Sequence, residues 1–273
     1  MNDITSRRSD YGKLIEVFTS ALYHRLIRTG DKVVDAGANA GMHLFPMSKL
    51  VGAQGKVHAF EPNPKLIQNI TKRLLREKIQ NVELHQKALH KEEGHGEFLI
   101  YPDNPGLSHL AHDGPMHSHT EGLQSESINV DFYRLDQVIT EEISFIKSDL
   151  EGADFLGLLG AKEIISKFRP IIIFENGRIS SAKQHNYSKD DYFSLFSEVD
   201  YMILDVHGLP LRPRDWENSV FSYECLALPC EDFRLLEIMS FIQKFWSTAV
   251  KMPEVKSWGE CTNIGRTMAF SPI

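Results

Sequence analysis

The chain has 273 residues, a formal net charge of −7 and a composition of 42% hydrophobic and 25% charged residues. This size and composition predict a globular protein with either one large α/β domain or two small ones, and the negative charge argues against nucleic acid or an anionic membrane surface as the main partner. The three cysteines show neither a metal-binding spacing nor a disulfide framework. No segment has the pattern of a targeting signal or a membrane span, so we expect a reduced cytoplasmic protein.

The first predicted elements are a helix and a strand that ends in a tight turn. Apolar residues at helical spacing predict a helix over residues 11–28, and Gly30 ends it. The segment KVVDAGANAG, residues 32–41, then has a β-branched run that ends at Asp35 and a turn that enters a helical pattern over residues 42–50. Such a strand, turn and helix offer the turn backbone and the helix N-terminus to a ligand.

The spacing of the turn, D-x-G-x-N-x-G, places an acid at Asp35 before Gly37, Asn39 and Gly41. A dinucleotide-binding fingerprint has glycine where this turn begins and no negative charge nearby, because it binds a pyrophosphate. An acid suits a cationic ligand instead, and S-adenosylmethionine, which has an ammonium and a sulfonium group, is such a ligand. A glycine-rich turn without a ligand is the competing interpretation of this motif alone.

A second strand, over residues 56–60, stops at Glu61, about 20 residues beyond the turn. An acid at this position is placed to accept hydrogen bonds from both ribose hydroxyls of an adenosine. The alternative role of Glu61 or Asn63 is to cap the helix that follows, over residues 65–77.

A third strand, over residues 82–85, leads to Gln86, where contacts to the adenine edge would fall. The three strand ends at Asp35, Glu61 and Gln86 lie about 25 residues apart, which is typical of βα units. This regularity favours a doubly wound parallel sheet.

Residues 94–127 interrupt the regular succession of βα units and predict a long inserted loop with one strand over residues 97–101. A further strand, over residues 130–135, returns the chain to the domain. The loop carries four histidines, which we interpret as solvated because they have neither a helical frame nor a cysteine beside them: His109, His112, His117 and His119.

Two predicted strands that follow both end in charged residues. The strand over residues 143–149 contains Lys147 and Asp149, which are two positions apart and therefore face the same side. The strand over residues 170–174 ends at Glu175. At the carboxyl edge of the sheet these side chains would border the ligand cleft, so we favour a functional cluster over a structural ion-pair network.

The last third of the chain predicts helices over residues 155–168, 189–198 and 235–246. Between the last two helices, strands over residues 201–206 and 222–228 follow each other without a crossover helix. This connection predicts an antiparallel hairpin at the sheet edge.

Several of these motifs, in this order, resemble the FkbM family of S-adenosylmethionine-dependent methyltransferases: GDKVVDAGANAG, GKVHAFEPNP, NVELHQKAL, FIKSDLEGAD and RPIIIFE. The likeness covers residues 31–175. It implies a Rossmann-like class I methyltransferase fold, α/β and doubly wound, whose mostly parallel seven-stranded sheet has a terminal antiparallel hairpin. We divide the chain into a helical segment (1–30), the methyltransferase domain (31–229, with the insertion at about 94–127) and a C-terminal helix and tail (230–273).

The resemblance also implies a reaction and a set of site residues. The reaction is methyl transfer from S-adenosylmethionine to a hydroxyl oxygen of a small molecule or glycan, on a sugar or a polyketide-type natural product. Lys147, Asp149 and Glu151 match the K-x-D-x-E-G block of the family. The predicted cofactor-binding residues are Asp35, Gly37, Ala38, Asn39, Gly41, Glu61, Pro62, Asn63, Gln86, Lys87 and Ala88.

Methyl transfer is an in-line displacement, so the protein chiefly positions the acceptor oxygen and excludes water. We expect Asp149 to be the base that takes the hydroxyl proton, with Lys147 tuning it or stabilising the alkoxide and Glu175 beside them. His109 and His207 are weaker candidates for the base.

Three alternatives remain open. Asp149 with Glu175 and Asn176 would offer Mg²⁺ three oxygen ligands, a variant that we favour less than a metal-free reaction. An NAD-dependent oxidoreductase would share the strand, turn and ribose acid but needs a G-x-G-x-x-G motif that this turn lacks. A non-catalytic scaffold would bind the cofactor without turnover. The oligomeric state is not specified by any of these motifs.

Overall fold

The computed structural model describes residues 2–112, 120–218, 220–249 and 266. The helices are α1 (Asn2–Leu26), α2 (Leu44–Val51), α3 (Pro64–Glu77), α4 (Leu135–Val138), α5 (Asp154–Leu159), α6 (Lys162–Phe168), α7 (Arg178–His185), α8 (Lys189–Glu198) and α9 (Leu235–Ala249). The strands are β1 (Lys32–Ala36), β2 (Lys56–Phe60), β3 (Val82–His85), β4 (Ala88–Leu89), β5 (Gly94–Ile100), β6 (His109–Leu110), β7 (Glu126–Tyr133), β8 (Phe145–Ser148), β9 (Ile171–Glu175), β10 (Tyr201–Asp205) and β11 (Glu224–Pro229).

The main sheet has the strand order β10-β11-β9-β8-β1-β2-β3. Strands β3, β2, β1, β8 and β9 are parallel to one another, as expected of short apolar runs that are covered on both faces. The register of β1 and β8 places Asp35 opposite Lys147. Because the strands are parallel, the carboxyl ends of β1, β2, β8 and β9 meet at one edge of the sheet.

The α/β class is confirmed, and β10 and β11 form an antiparallel pair at one edge of the seven-stranded main sheet. Two details of the arrangement were not predicted. Strand β11 lies between β9 and β10 and is antiparallel to both, so the last strand of the chain lies inside the sheet and does not extend its edge. In addition, a separate four-stranded sheet has the order β4-β7-β5-β6.

The second sheet includes part of the segment predicted over residues 94–127 as a loop with one strand. Strand β5 overlaps the strand predicted over residues 97–101, β7 overlaps the one predicted over residues 130–135, and residues 101–108 and 120–125 form no strand. Strands β5 and β7 pair antiparallel along their length, and apolar side chains on one face form a small core of Ala88, Phe98, Ile100 and Val130. Their pairing into a sheet was not predicted, because each strand is stabilised by a partner that is distant in the sequence.

The prediction of solvated histidines in this segment is wrong for His109. The His109 side chain is buried, its ring stacks on Tyr101 at 5.8 Å, and its Nδ1 lies 2.8 Å from the Leu107 carbonyl oxygen. His117 and His119 lie outside the described residues.

Two differences concern helices. The single helix predicted over residues 155–168 consists of α5 and α6, which are separated at Gly160, and the short helix α7 was not predicted. A Cβ atom at Gly160 would lie 2.1 Å from the His90 carbonyl oxygen. The break therefore occurs where the backbone touches the segment that follows β4.

Helices cover both faces of the main sheet. On one face α1, α2 and α9 pack together, with Phe18 of α1 against Phe245 of α9 at 5.2 Å between ring centroids. On the other face α5, α6 and α8 form a second core that includes Phe155 and Tyr192. Within the described ranges, no helix is both long and apolar enough to cross a membrane.

We expect Gly160→Ala to lower the free energy of unfolding by about 1–3 kcal/mol, because the added methyl group has no space beside the His90 carbonyl. Gly12→Ala is the matched control: no atom lies within 4 Å of its Cβ position, and it lies inside helix α1, so it should raise stability by about 0.5–1 kcal/mol. Urea unfolding followed by circular dichroism measures both. Equal stability of Gly160→Ala and wild type would contradict the packing described here.

Candidate active site

The carboxyl edge of the main sheet carries a buried row of charges from β1 and β8. The Lys147 Nζ lies 3.2 Å from Asp149 Oδ2 and 3.8 Å from Asp35 Oδ1, and both Lys147 and Asp35 are buried. Burial alone would lower the pKa of Lys147, but the carboxylates of Asp149 and Asp35 outweigh it and raise that pKa. Lys147 therefore stays positively charged and is not a proton acceptor.

Glu61 ties the end of β2 to the turn after β1. Its Oε2 accepts a hydrogen bond from the Asn39 amide at 2.9 Å, and its Oε1 accepts one from the Asn63 amide at 2.8 Å. Burial raises the pKa of Glu61 to about 7, although both amides act in the opposite direction. The Asn63 side chain accepts from the Lys65 amide and caps α3, so the cap that we assigned to Asn63 or Glu61 belongs to Asn63.

Gly37 lies where the turn after β1 touches the end of β8. Its φ is +78°, and a Cβ atom there would lie 1.9 Å from the Asp149 carbonyl oxygen. Only glycine fits this position. The turn and the acidic end of β8 therefore form two walls of one cleft.

A cavity with an empty volume of about 550 Å³ occupies this cleft; we call it the turn cavity. Six predicted cofactor-binding residues line it: Gly37, Asn39, Glu61, Pro62, Lys87 and Ala88. The second sheet closes it with residues that sequence analysis missed: Phe98, Pro105, Gly106, Ser108 and Leu110.

The other predicted cofactor-binding residues lie away from the lining formed by the described residues. Asp35 and Ala38 are buried behind the turn, and Asn63 is occupied as the cap of α3. Gly41 adopts a φ of +83° at the start of α2, and Gln86 is exposed. Their direct contact with a cofactor stays a prediction.

A second cavity, with an empty volume of about 1270 Å³, adjoins the first; we call it the acidic cavity. It shares Asp149 and Glu151 with the turn cavity. Its other charged and aromatic lining residues are Tyr11, Glu16, Glu175, His207, Phe221, Tyr223 and Glu224. Sequence analysis singled out Asp149, Glu175 and His207 but not Tyr11 or Glu224, which come from distant parts of the chain.

Three carboxyl groups of the acidic cavity, those of Glu151, Glu175 and Glu224, have raised pKa values. Glu175 of β9 is paired in register with Glu224 of β11. Burial, followed by the Asp149 charge, raises the pKa of Glu175 to about 8, and the same two causes raise the pKa of Glu224 and of Glu151 well above the ordinary range. These groups can donate as well as accept hydrogen bonds near neutral pH.

Two predicted alternatives for the chemistry lose support from side-chain placement. Asn176 is buried, accepts a hydrogen bond from the Arg178 amide through its Oδ1 and is not among the described residues that line either cavity, so it lies apart from the site where Asp149 could hold Mg²⁺. His109 is buried in the second sheet, whereas His207 lines the acidic cavity with its Nε2 2.9 Å from the Tyr11 hydroxyl.

Three similar proteins illustrate the range of relatives. The chain is 32% identical to an aklanonic acid methyltransferase, DauC, of Streptomyces sp. (strain C5) over 81 residues, 28% of this chain and 37% of that protein. A methyltransferase FkbM structure from Methylobacillus flagellatus KT matches 77% of this chain and 50% of its own, with 19% identity and a TM-score of 0.46. An rRNA methylase from Streptococcus thermophilus matches 77% and 93%, with 14% identity and a TM-score of 0.41.

The chain thus spans 37% of the Streptomyces protein and half of the Methylobacillus structure. Both structural scores are below 0.5, so the family assignment depends on a domain match. Residues 35–208, which include β1, the turn cavity and β10, match the methyltransferase FkbM domain. This chain therefore belongs to the FkbM methyltransferase family.

Proposed function

We propose that this chain transfers a methyl group to a hydroxyl oxygen of a small molecule or glycan, on a sugar or a polyketide-type product. The observation that supports the proposal is the junction of two cavities at Asp149 and Glu151. S-adenosylmethionine is the cofactor of this family, and when bound it supplies an electrophilic methyl group. The turn cavity would hold the cofactor, and the acidic cavity would hold the acceptor.

The residues of the turn cavity suit S-adenosylmethionine. The Glu61 carboxylate has an unused lone pair on each oxygen after its two amide bonds, which suits the ribose hydroxyls. Gly37 lines the cavity where the methionine part would lie, and Lys87 with Ala88 would flank the adenine. The carboxylate of Asp149 would face the positive charge of the cofactor.

Asp149 is the best placed general base. Its side chain is 35% exposed, lines both cavities and contacts Lys147 through Oδ2. The charged Lys147 holds the carboxylate in place and would stabilise an alkoxide as the acceptor loses its proton. Glu175, with a pKa of about 8, is the second candidate because its pKa matches a neutral operating pH.

The lining of the acidic cavity favours an acceptor with several hydroxyl groups. Carboxyl groups accept hydrogen bonds from hydroxyls, and the rings of Tyr11, Tyr223 and Phe221 offer flat apolar surface. The Streptomyces relative is named as a methyltransferase of aklanonic acid, which supports a small-molecule acceptor.

We expect wild-type protein to bind S-adenosylmethionine in isothermal titration calorimetry and Glu61→Ala to bind it at least 10-fold more weakly. The reason is that hydrogen bonds to a charged group contribute about 1.5–3 kcal/mol each. Glu93→Ala, at an exposed position after β4, is the control and should bind like wild type.

The same titration with NAD⁺ tests the oxidoreductase alternative. Binding of NAD⁺ without binding of S-adenosylmethionine would replace our proposal by that alternative. Binding of S-adenosylmethionine with no methylation across a panel of sugars, glycans, polyketides and RNA would favour the non-catalytic scaffold, and methylation of RNA alone would overturn the small-molecule acceptor.

With an acceptor from that panel, Asp149→Asn should lower kcat by about 10²- to 10⁴-fold, the usual contribution of a positioned base. Affinity for S-adenosylmethionine should change much less, because the ribose and adenine contacts remain. Asp131→Asn, on the exposed side of β7, is the matched control. If Glu175→Gln instead caused the larger loss of kcat, the base would be Glu175.

The raised pKa of Glu175 has a consequence for stability. The pKa of Glu175 is 4.5 in the unfolded chain and about 8 in the folded chain. The protonated carboxyl therefore contributes its full stabilisation below pH 4.5, and this contribution is lost as the pH rises through 8. We therefore expect the urea midpoint of wild type to fall between about pH 5 and pH 8.5 by more than that of Glu175→Gln. Glu92→Gln, an exposed control, should follow wild type; equal slopes for Glu175→Gln and wild type would contradict the burial of this carboxyl.

A further inference from the structure

A second cluster of ligating side chains lies on the outer part of the main sheet, away from both cavities. His58 lies on β2, and Glu83 and His85 lie on β3. One nitrogen or oxygen from each of these three residues lies within 4.8 Å of the other two. Among the residues that the structure describes, this is the group of histidine, cysteine and acidic side chains with the spacing of a metal site.

The two imidazoles present unused nitrogens to this point. His58 Nδ1 and His85 Nε2 are buried and make no hydrogen bond. An imidazole nitrogen that is buried without a partner is costly unless something binds it.

The distances fit coordination better than hydrogen bonding. Glu83 Oε2 lies 3.6 Å from His58 Nδ1, and Glu83 Oε1 lies 3.7 Å from His85 Nε2, beyond the range of a hydrogen bond. Ligand atoms about 2.0–2.2 Å from a tetrahedral ion lie about 3.3–3.5 Å from each other. Both distances to Glu83 are slightly longer than this spacing, and one ligand atom from each of the three residues lies within 4.8 Å of the others, so a contraction of the group would place the three residues around one ion.

The outer environment of His58 is that of a metal ligand. Its other nitrogen, Nε2, lies 2.8 Å from Glu141 Oε1. The same carboxylate also contacts Lys56 through Oε1 and Lys32 through Oε2. Histidine ligands of metals commonly donate their second N–H to a carboxylate, which fixes the tautomer and the ring orientation. Glu141 would keep the Nδ1 of His58 free to bind.

The geometry points to a Zn²⁺-type site formed by His58, Glu83 and His85, with Glu141 as the carboxylate that orients His58. Two imidazoles and one carboxylate suit a borderline divalent ion such as Zn²⁺ and disfavour Mg²⁺, which prefers oxygen ligands. The Lys56 Nζ lies 3.3 Å from Glu83 Oε2 and 2.9 Å from Glu141 Oε1. If Glu83 bound the ion, Lys56 would therefore keep its ion pair with Glu141.

The ion would stabilise the floor of the turn cavity. The ring of His85 stacks on Phe60 at 4.5 Å, and Phe60 both lines that cavity and accepts the Gly37 and Ala38 amides with its carbonyl oxygen. Binding between β2 and β3 would hold this stack in place. The site is structural, because its residues do not line either cavity.

The test is titration of tag-free, chelator-treated protein with Zn²⁺ by calorimetry and with Co²⁺ by visible absorption, each compared with Mg²⁺. We expect one Zn²⁺ per chain, a Co²⁺ spectrum with ligand-field bands of a tetrahedral site, and a rise in Tm with Zn²⁺. Glu83→Gln and His85→Gln should each lose the spectrum and weaken Zn²⁺ binding at least 10-fold. Glu141→Gln should weaken it about 10- to 100-fold.

Two control variants test three histidines that lie elsewhere in the chain. His95→Gln, at an exposed position on β5, and a double variant at His117 and His119 should bind Zn²⁺ like wild type. Glu83 is half exposed, so Glu83→Gln should fold, and circular dichroism checks this. The proposal is overturned if wild type binds no Zn²⁺, if Glu83→Gln and His85→Gln bind it like wild type, or if binding is lost only in the control variants.

Discussion

The ion pair between Lys147 and Asp35 is the interaction on which the active site depends. A buried lysine is stable only when carboxylates surround it, and Lys147 has Asp35 across the strand pair and Asp149 two residues further on. The two carboxylate oxygens of Asp35 accept no hydrogen bond, so the ammonium group of Lys147 is the main stabilising partner of this carboxylate. This arrangement fixes the register of β1 and β8 at the carboxyl edge of the sheet.

That register determines where the two cavities meet. With β1 and β8 aligned, the Asp149 carbonyl lies so close to Gly37 that no side chain fits between them. The turn cavity then lies on one side of Asp149 and the acidic cavity on the other. Asp149 therefore lines both cavities, which is the placement that the proposed function requires.

Sequence reasoning succeeded where the determinants are local. Strands β2 and β3 and helix α8 have the predicted bounds, because their apolar periodicity and end signals lie within the element itself. The turn motif and Glu61 were found for the same reason, since a glycine-rich turn and a strand-end acid are both local signals. These residues form the half of the site that contacts the turn.

Sequence reasoning failed where an element depends on a partner that is distant in the sequence. Strands β5 and β7 stabilise each other although they lie about 30 residues apart in the sequence. Because the partner of each strand is distant, the composition of the segment predicted a loop and not a second sheet. Strand β11 was predicted as a strand, but its place between β9 and β10 is set by packing of the whole sheet. Tyr11 and Glu224 reach the acidic cavity from opposite ends of the described chain, and no sequence signal near either residue marks it.

The two halves of the site therefore differ in how they can change. The turn cavity is formed largely by consecutive βα units and a covering sheet, whose residues also hold the fold together: Glu61 binds two backbone amides, and Gly37 has no room for a side chain. Residues of the acidic cavity such as Tyr223 and Val220 are exposed and lie beside β11. Substitution there alters the shape and charge of the proposed acceptor site without disturbing the Lys147 ion pairs, so under the proposed function acceptor choice can change while the contacts of Asp149 are kept.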